Sequence, residues 1–328
     1  VLQLKRRNIS AVCLHAGLTP RRLKDAFISL ESNSLRFLYL APERLQSFSI
    51  KEALKIKSRK KEIVAFAIDE AHCISAWGHD FRPDYRRLGE IRSICPNVPI
   101  VALSATAPPK VRADIIQLLH LRRPLVEVCS ARRNNLTYSI RRRRKNPLPE
   151  VLEAIERARG ASLIYLRTRK SVHDWTNRLQ DQGIPAVPYH AGLSSEERSE
   201  ALDKFLFEPH PVLVATVAFG MGIDRSDVGL VLHLNLPPNP EKYLQESGRA
   251  GRDGLPATSL VLFSPVDRIQ LVWAIHSSLK RNNYRLIPEE INFRNEFAQE
   301  QLRIMEEVAE GEGCIEQALS LMVGEVSP

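Results

Sequence analysis

The sequence predicts an α/β fold of two related units, each with parallel strands flanked by helices, followed by a short helical C-terminal segment. The first observation is an uninterrupted apolar run at residues 63–68 that ends in two adjacent carboxylates. The second is a repeat, because residues 9–18 recur as residues 184–193, an offset of 175 positions. The third is a change to helical periodicity after residue 264. Together they predict three segments: residues 1–132, 133–264 and 265–328.

The composition is that of a basic globular chain of 328 residues, long enough for two full cores. Its net charge of +9 favours a polyanionic partner such as nucleic acid, although many basic proteins bind none. The five cysteines are scattered and form no Cys-x-x-Cys pair, which indicates a reducing compartment without a disulfide framework. Apolar runs stay shorter than about 18 residues and no basic-then-apolar leader opens the chain, so we expect neither membrane insertion nor secretion.

The run at 63–68 has the pattern of a strand buried on both faces of a parallel sheet. Ligands of such sheets bind beyond the carboxyl ends of the strands, where Asp69 and Glu70 follow. Adjacent acids suit metal-assisted phosphoryl transfer, in which Asp69 holds Mg²⁺ through its water shell and Glu70 orients and deprotonates a water. The same pair also fits a strand-to-helix turn in which the carboxylates cap the next helix.

Residues 73–87 combine Trp77, Phe81 and Tyr85 with arginines, a glycine and a proline. Aromatic faces interleaved with cations suit single-stranded nucleic acid, since bases stack on the rings and phosphates meet the charges. Alternatively, Trp77 and Phe81 lie four positions apart and form a core pair on a helix. Their position next to the acidic strand end favours the first interpretation.

Two further stretches leave alternatives open. Ser104 and Thr106 follow a predicted strand at 98–103, where their hydroxyls could bond a catalytic group or cap the next helix. The basic run at 141–145 fits a solvated linker as well as a seam that faces a phosphate backbone.

In the second unit, a strand at 162–166 leads into Arg169 and a helix whose N-terminus suits a phosphate. Another strand, at 212–216, leads into a Gly-x-Gly that ends at Gly222 and is followed by Asp224. The glycines allow close backbone approach to a ligand and Asp224 supplies a polar group, although a Gly-x-Gly alone is a weak signal.

The segment 240–254 carries Arg249 and Arg252, each directly preceded by a glycine. A thin backbone with long guanidinium side chains suits a transferring phosphate, where an arginine finger neutralises the developing charge. A basic exposed turn is the alternative, but it does not explain glycine at both preceding positions.

The ordered motifs resemble one family. They are Ala-Pro-Glu-Arg-Leu at 41–45, Asp-Glu-Ala-His at 69–72, the aromatic segment at 73–82, Ser-Ala-Thr at 104–106, Tyr-His-Ala-Gly at 189–192, the glycine segment at 214–224 and Gln-Glu-Ser-Gly-Arg-Ala-Gly-Arg-Asp-Gly at 245–254. The set resembles superfamily 2 helicases, specifically RecQ-type DNA helicases, densely up to residue 264 and thinly beyond. The resemblance implies two RecA-like lobes that clamp ATP between them and move 3′ to 5′ along one DNA strand.

By this resemblance, Asp69 serves Mg²⁺, Glu70 is the base for water, and Arg249 and Arg252 reach the γ-phosphate, with Arg252 as the finger. Further residues are implied to couple the lobes or to line the nucleotide side: Ser104, Thr106, Gly222, Asp224 and Gln245. The implied ligands are ATP and Mg²⁺, with Zn²⁺ in the full-length protein only.

The implied partner is single-stranded and partly duplex DNA, sensed by the loop from Trp77 to Arg82. Residues implied to contact DNA are Trp77, Phe81, Arg82, His190, Arg44 and Arg169. The expected location is the cytoplasm at the nucleoid, or the nucleus if the source is eukaryotic.

Three departures from the family pattern stand out. No Gly-x-x-x-x-Gly-Lys-[Ser/Thr] occurs, so the phosphate-binding loop is expected before Val1, and these 328 residues alone are expected to hydrolyse ATP hardly at all. Cys314 matches the first zinc cysteine, and its three companions are expected after Pro328. Ser171 and His173 replace residues that are usually basic and acidic.

Two rival functions remain from the sequence. RNA helicases of the related groups lack the segment from Trp77 to Arg82 and often sense the 2′-OH of RNA. A non-catalytic nucleic-acid-binding protein without a phosphate loop is the rival from another class.

Overall fold

The computed structural model describes residues 1–15, 17–32, 34–77, 81–130, 132–216, 225–281, 288–311 and 313–322. The chain divides into two compact units, Val1–Val128 and Cys129–Pro328. The predicted site residues Gly222 and Asp224 lie outside the described residues, as do residues 78–80 of the aromatic segment. The division groups the predicted third segment, 265–328, with the second unit.

The first unit contains two pairs of parallel strands, β1 with β2 and β3 with β4, among its described residues. Its strands are β1 Ala11–Leu14, β2 Phe37–Leu40, β3 Phe66–Ile68 and β4 Ile100–Ala102. Its helices are α1 Leu2–Arg6, α2 Pro20–Glu31, α3 Phe48–Arg59, α4 Pro83–Arg86, α5 Ile91–Ile94 and α6 Pro109–Leu118. Helix α2 begins where the sequence allows it, since the Thr19 hydroxyl accepts from the Arg22 amide and Pro20 occupies the first turn.

The prediction that residues 63–68 form a strand buried on both faces is wrong. Strand β3 covers only Phe66–Ile68, and Val64 is 87% exposed. Ile68 packs in the core of the unit while Ala67 is exposed, so side chains alternate between a covered and an open face. The described partner of β3 is β4, whose Val101 is also exposed, and this open face explains why an apolar run is not fully buried.

The second unit has one six-stranded parallel sheet, in the order β5-β10-β9-β6-β8-β7. Its strands are β5 Leu136–Arg142, β6 Ala161–Tyr165, β7 Ala186–Tyr189, β8 Val212–Ala215, β9 Val228–His233 and β10 Ala257–Phe263. Its helices are α7 Leu148–Arg157, α8 Arg169–Gln180, α9 Ser195–Phe207, α10 Pro240–Ser247, α11 Pro265–Arg281, α12 Pro288–Glu310 and α13 Ile315–Met322. Every residue of β6, β8 and β9 is buried, which is the pattern expected for a parallel sheet covered on both faces.

The sequence repeat corresponds to a structural repeat. In both units a strand, a helix and a parallel partner strand follow one another: β1, α2 and β2, then β7, α9 and β8. Ala11 pairs with Phe37 and Ala186 pairs with Val212, so the register of the two pairs obeys the same offset of 175 positions. The predicted relation between the units therefore holds down to individual strand pairs.

The C-terminal helices α11 to α13 pack on the second unit through a core of their own. Met305 and Leu319 are buried against Tyr243 of α10 and Phe263 of β10. No helix among the described residues is long and apolar enough to cross a membrane.

Asp267, 1% exposed near the start of α11, ties these helices to the sheet. One carboxylate oxygen accepts from Asn235 Nδ2 at 3.0 Å and from Arg143 Nη2 at 3.1 Å. The other accepts from the backbone amides of Leu236 and Ser264, each at 3.0 Å. A single buried carboxylate thus satisfies four donors from three different segments.

We expect Asp267→Ala to lower the free energy of unfolding by about 3–5 kcal/mol, because it removes a buried carboxylate and leaves the partly buried Arg143 guanidinium and two backbone amides without this partner. Urea denaturation measures the change. Asp203→Ala, at an exposed position of α9, is the matched control and should stay within about 0.5 kcal/mol of the wild type. A loss below about 1 kcal/mol for Asp267→Ala contradicts the role given to this carboxylate.

Candidate functional site

The two predicted acids lie at the carboxyl end of β3, where the chain turns sharply. Glu70 has a left-handed backbone conformation, with φ of 50°, and its amide donates to Asp69 Oδ1 at 2.9 Å. A non-glycine residue with this backbone is uncommon and clusters at functional sites. Asp69 is exposed, and Glu70 is half-buried. The capping alternative does not hold for Glu70, because its side chain makes no capping bond to the short 3₁₀ helix at Ala71–Ile74.

A buried histidine links the acids to the predicted Ser-Ala-Thr segment. His72 is 2% exposed, and its Nδ1 lies 3.0 Å from Ser104 Oγ and 3.4 Å from Glu70 Oε2. Ser104 Oγ donates its only proton to the Thr106 carbonyl at 2.7 Å, so it must accept from His72. The histidine therefore carries its proton on Nδ1, and the site couples β3 to the end of β4.

Asp69 fits a magnesium site of the water-mediated kind. Mg²⁺ is usually bound through one or two carboxylates together with substrate phosphates, and Asp69 offers an exposed carboxylate. No cluster of three or more His, Cys, Asp or Glu suited to a metal occurs among the described residues. Cys314 is exposed, and its assignment to a zinc site stays a prediction.

The aromatic segment follows the two acids in the chain, and its described residues make several contacts with the rest of the first unit. Trp77 packs partly against the core of the unit, and Lys110 Nζ lies 2.8 Å from the centroid of its ring. Arg86 lies over Phe81 at 4.8 Å, and the Arg82 amide donates to the Cys73 carbonyl at 2.9 Å. Tyr85 is close to the acids, and burial raises its pKa to about 12, with Cys73 and the acids adding to the shift. Cations thus already accompany both rings.

The predicted arginine segment forms what we call the arginine loop, residues 248–252, directly after α10. Arg249 is 7% exposed, whereas the Arg252 side chain is exposed. Gly251 has φ of 59°, and a Cβ there would lie 2.6 Å from Asn135 Nδ2. A Cβ on Gly248 would lie 2.9 Å from the Leu244 carbonyl. The two glycines before the arginines are thus required by the turn and its close packing.

Arg249 points into a buried polar chain. Its guanidinium hydrogen-bonds Tyr165, whose pKa is raised by burial and lowered in part by the nearby Arg249 and Arg252. The Tyr165 ring stacks on His233 at 5.1 Å, and His233 Nε2 lies 2.9 Å from Glu246 Oε2. This row of buried polar side chains orients Arg249 from the side of the sheet, whereas the Arg252 side chain is exposed at the surface.

The two copies of the His-Ala-Gly repeat make the same turn in different surroundings. The amide of Gly17 donates to His15 Nδ1 and that of Gly192 donates to His190 Nδ1, both at 3.2 Å. His15 is exposed, and its carbonyl accepts from Arg44 Nη2 at 2.8 Å.

His190 instead is 3% exposed and lies 2.8 Å, Nε2 to Nε2, from the exposed His173. Both nitrogens of His190 are engaged, and a Cβ on Gly192 would lie 2.7 Å from Arg169 Nη1. Arg169 is exposed at the start of α8, where the Thr168 hydroxyl accepts from the Ser171 amide. The DNA contact assigned to His190 stays a prediction, and through the ring it requires one of these bonds to open.

Gln245 lies on α10, and its side-chain oxygen accepts from Lys242 Nζ at 3.4 Å.

Sequence reasoning missed several residues that position the site. Nothing in the sequence separates Arg133 from its exposed neighbour Arg132, and the roles of the buried groups depend on contacts across the sheet. The missed residues are Arg133, Asn135, Tyr165, His233 and Glu246.

Two known families match parts of the chain. Residues 2–115 match the DEAD/DEAH box helicase family, and residues 145–254 match the helicase conserved C-terminal domain. The fold and the two matches define the core of a helicase. The sequence relatives then narrow the class.

The chain is 38% identical over 266 residues to the ATP-dependent DNA helicase RecQ of Pasteurella multocida, covering 81% of this chain and 41% of that protein. It is 41% identical over 292 residues to the ATP-dependent helicase wrn-1 of Caenorhabditis elegans, covering 86% and 27%. It is 36% identical over 285 residues to the ATP-dependent DNA helicase Q5 of Rattus norvegicus, covering 82% and 29%. These similarities place the chain in the RecQ-type helicase family and confirm the resemblance seen in the motifs. The chain spans less than half the length of each of these relatives.

Solved structures agree on the fold. The helicase Lhr of Mycobacterium smegmatis, bound to single-stranded DNA and AMP-PNP, matches with a TM-score of 0.59 at 17% identity, covering 94% of this chain and 46% of that chain. A single-substitution variant of Dbp5 of Saccharomyces cerevisiae, bound to RNA and ADP BeF3, matches with a TM-score of 0.56 at 17% identity, covering 91% of this chain and 75% of that chain. The predicted α/β class with RecA-like architecture is confirmed.

We expect His173→Gln to raise the pKa of His190. Burial and the neighbouring His173 and Arg169 lower that pKa, and removing His173 removes one of these causes. NMR titration of the His190 ring protons measures the shift, with His276→Gln on α11 as a control that leaves His190 unchanged.

The same lowered pKa has a consequence for stability. The unfolded chain takes up a proton at about pH 6.5 before folded His190 does, so its contribution to stability is present above about pH 6.5 and is lost as the pH falls. An unchanged His190 titration in His173→Gln contradicts the pairing of the two rings.

Proposed function

We propose that the chain is the motor part of an ATP-dependent DNA helicase that moves 3′ to 5′ along single-stranded DNA and separates duplex ahead of it. The observation that carries the proposal is the coupling of Glu70 through buried His72 to Ser104, at the end of a strand that also presents Asp69. Relatives at 36–41% identity are named ATP-dependent helicases, which supports the reaction and, for most of them, DNA as the substrate.

In the proposed mechanism, the residues of the first unit prepare the attacking water. Asp69 would hold Mg²⁺, which supplies charge for the phosphate oxygens when it is bound. Glu70 orients the water and accepts its proton, and the contact between Glu70 and His72 fixes the orientation of the carboxylate. The hydrogen bonds from His72 to Ser104 and from Ser104 to Thr106 couple the position of the Glu70 carboxylate to the end of β4.

The residues of the second unit supply positive charge. Arg252 is the proposed finger because its side chain is exposed, whereas Arg249 is buried and fixed by Tyr165. The buried Nε of Arg249 has no hydrogen-bond partner among the described residues, which suits an anionic acceptor. Gln245, Gly222 and Asp224 are proposed to line the nucleotide.

DNA is proposed to contact the segment around Trp77, Phe81 and Arg82, together with Arg44 and Arg169. The cations already placed over the two rings suit stacking of bases beside phosphates. A zinc module through Cys314, and a location in the cytoplasm at the nucleoid or in the nucleus, are proposals for the full-length protein.

We expect the ATPase of the full-length protein to be stimulated by single-stranded DNA at least about tenfold more than by RNA of the same sequence, since the proposed substrate is DNA. Steady-state phosphate release with each polymer is the measurement. Equal or greater stimulation by RNA identifies an RNA helicase, and nucleic-acid binding without ATP turnover identifies a non-catalytic protein.

We expect Arg252→Ala to lower kcat of that ATPase by about 10³-fold or more while the Kd for ATP stays within about twofold, because a finger acts on charge that develops during transfer. Arg157→Ala, at a 77% exposed side chain of α7, is the matched control and retains wild-type kcat. Wild-type turnover by Arg252→Ala removes this residue from the mechanism.

A further inference from the structure

The backbone of the arginine loop is held by two side chains that precede β5. Arg133 Nη1 donates to the carbonyls of Gly248 at 3.2 Å and Ala250 at 2.9 Å, and its Nη2 donates to the carbonyl of Gly251. Asn135 Nδ2 donates to the carbonyls of Gly251 and Leu255, both at 2.8 Å. Four of these five bonds therefore end within the turn that carries the two arginines, and the fifth ends just after it, at Leu255.

These two residues are themselves anchored to the sheet. The Asn135 carbonyl accepts from the Ala257 amide at 2.9 Å, and the next residue, Leu136, opens β5 and pairs with Ala257. Arg133 Nη2 lies 3.4 Å from Asn135 Oδ1, which fixes one side chain against the other. These bonds fix the position of the arginine loop relative to β5 and β10, and not only relative to α10.

The carbonyls that Arg133 binds lie on both sides of Arg249 and directly before Arg252 in the chain. Gly248 precedes Arg249, while Ala250 and Gly251 separate Arg249 from Arg252. Fixing these peptide planes fixes the direction in which each arginine leaves the backbone. A guanidinium fork suits the task because its donors diverge in one plane, whereas a lysine offers three donors on a single atom.

We propose that Arg133 and Asn135 are positioning residues that set the geometry of the arginine loop for catalysis. The proposal rests on the proposed function, because it gives these residues a role in the reaction that Arg252 serves. Transition-state charge is neutralised only by a correctly placed guanidinium, and a displacement of about 1 Å can cost about 100-fold in rate.

The first test measures the loop itself in the chain of 328 residues by amide hydrogen exchange. In the wild type the Ala250 amide donates to the Ser247 carbonyl at 3.0 Å and the Gly251 amide to the Val228 carbonyl at 2.8 Å. Arg133→Ala should speed exchange at these amides about tenfold or more while the amides of β6 stay unchanged. Arg132→Ala is the matched control, since that side chain is 64% exposed and lies 3.6 Å from Glu316.

The second test measures catalysis in the full-length protein. Arg133→Ala and Arg133→Lys should each lower kcat about tenfold or more, with KM for ATP and the Kd for single-stranded DNA within about twofold. Millimolar guanidinium should restore part of the kcat lost in Arg133→Ala, and it should do nothing for Arg132→Ala. A purely structural role would instead move KM, DNA affinity and the thermal midpoint together.

Three results overturn the proposal: unchanged loop exchange in Arg133→Ala, faster exchange spread over β5 to β10 with a lowered midpoint, or wild-type kcat despite a loosened loop. Absence of ATPase in the wild-type protein refutes the proposed function instead. The exchange experiment still decides whether Arg133 holds the loop in that case, so the two failures are distinguishable.

Discussion

Pairing of buried polar groups at the carboxyl ends of parallel strands is the constraint on which this structure depends. A polar atom removed from water costs about 1–3 kcal/mol when it lacks a partner, so each functional side chain at a strand end needs a fixed neighbour. His72 meets this requirement between Glu70 and Ser104, and Asp267 meets it with four donors. The same bonds that prevent orphaned groups also decide which way the reactive groups face.

The two arginines of the loop show how one constraint yields two roles. Arg249 is buried because Tyr165 gives it a partner inside the sheet, and Tyr165 in turn rests on the His233–Glu246 pair. Arg252, three residues later, is exposed. Gly251 lets the chain reverse between them, since its positive φ and the contact with Asn135 exclude a side chain. A buried cation and an exposed one then lie on the same short turn.

Sequence reasoning reached the elements but not their surroundings. Apolar runs located β6 and β8, and the position of Asp69 and Glu70 after a strand follows from the end of that run. The exposure of Val64 could not be derived, because burial depends on which strands lie beside β3. The role of Arg133 could not be predicted for a related reason. Its guanidinium binds backbone carbonyl oxygens of residues 248–251, and every residue has such a carbonyl whatever its side chain.

The duplicated turn shows why a motif alone does not define a role. His15 and His190 accept the same amide bond at the same distance, so the local sequence dictates the local geometry in both copies. In the first copy the ring is exposed and the backbone receives Arg44, whereas in the second the ring is buried against His173. Burial and the neighbouring His173 lower the pKa of His190, whereas an acid in place of His173 would raise it. A side chain on α8 thus affects the pKa of a residue whose own motif is intact.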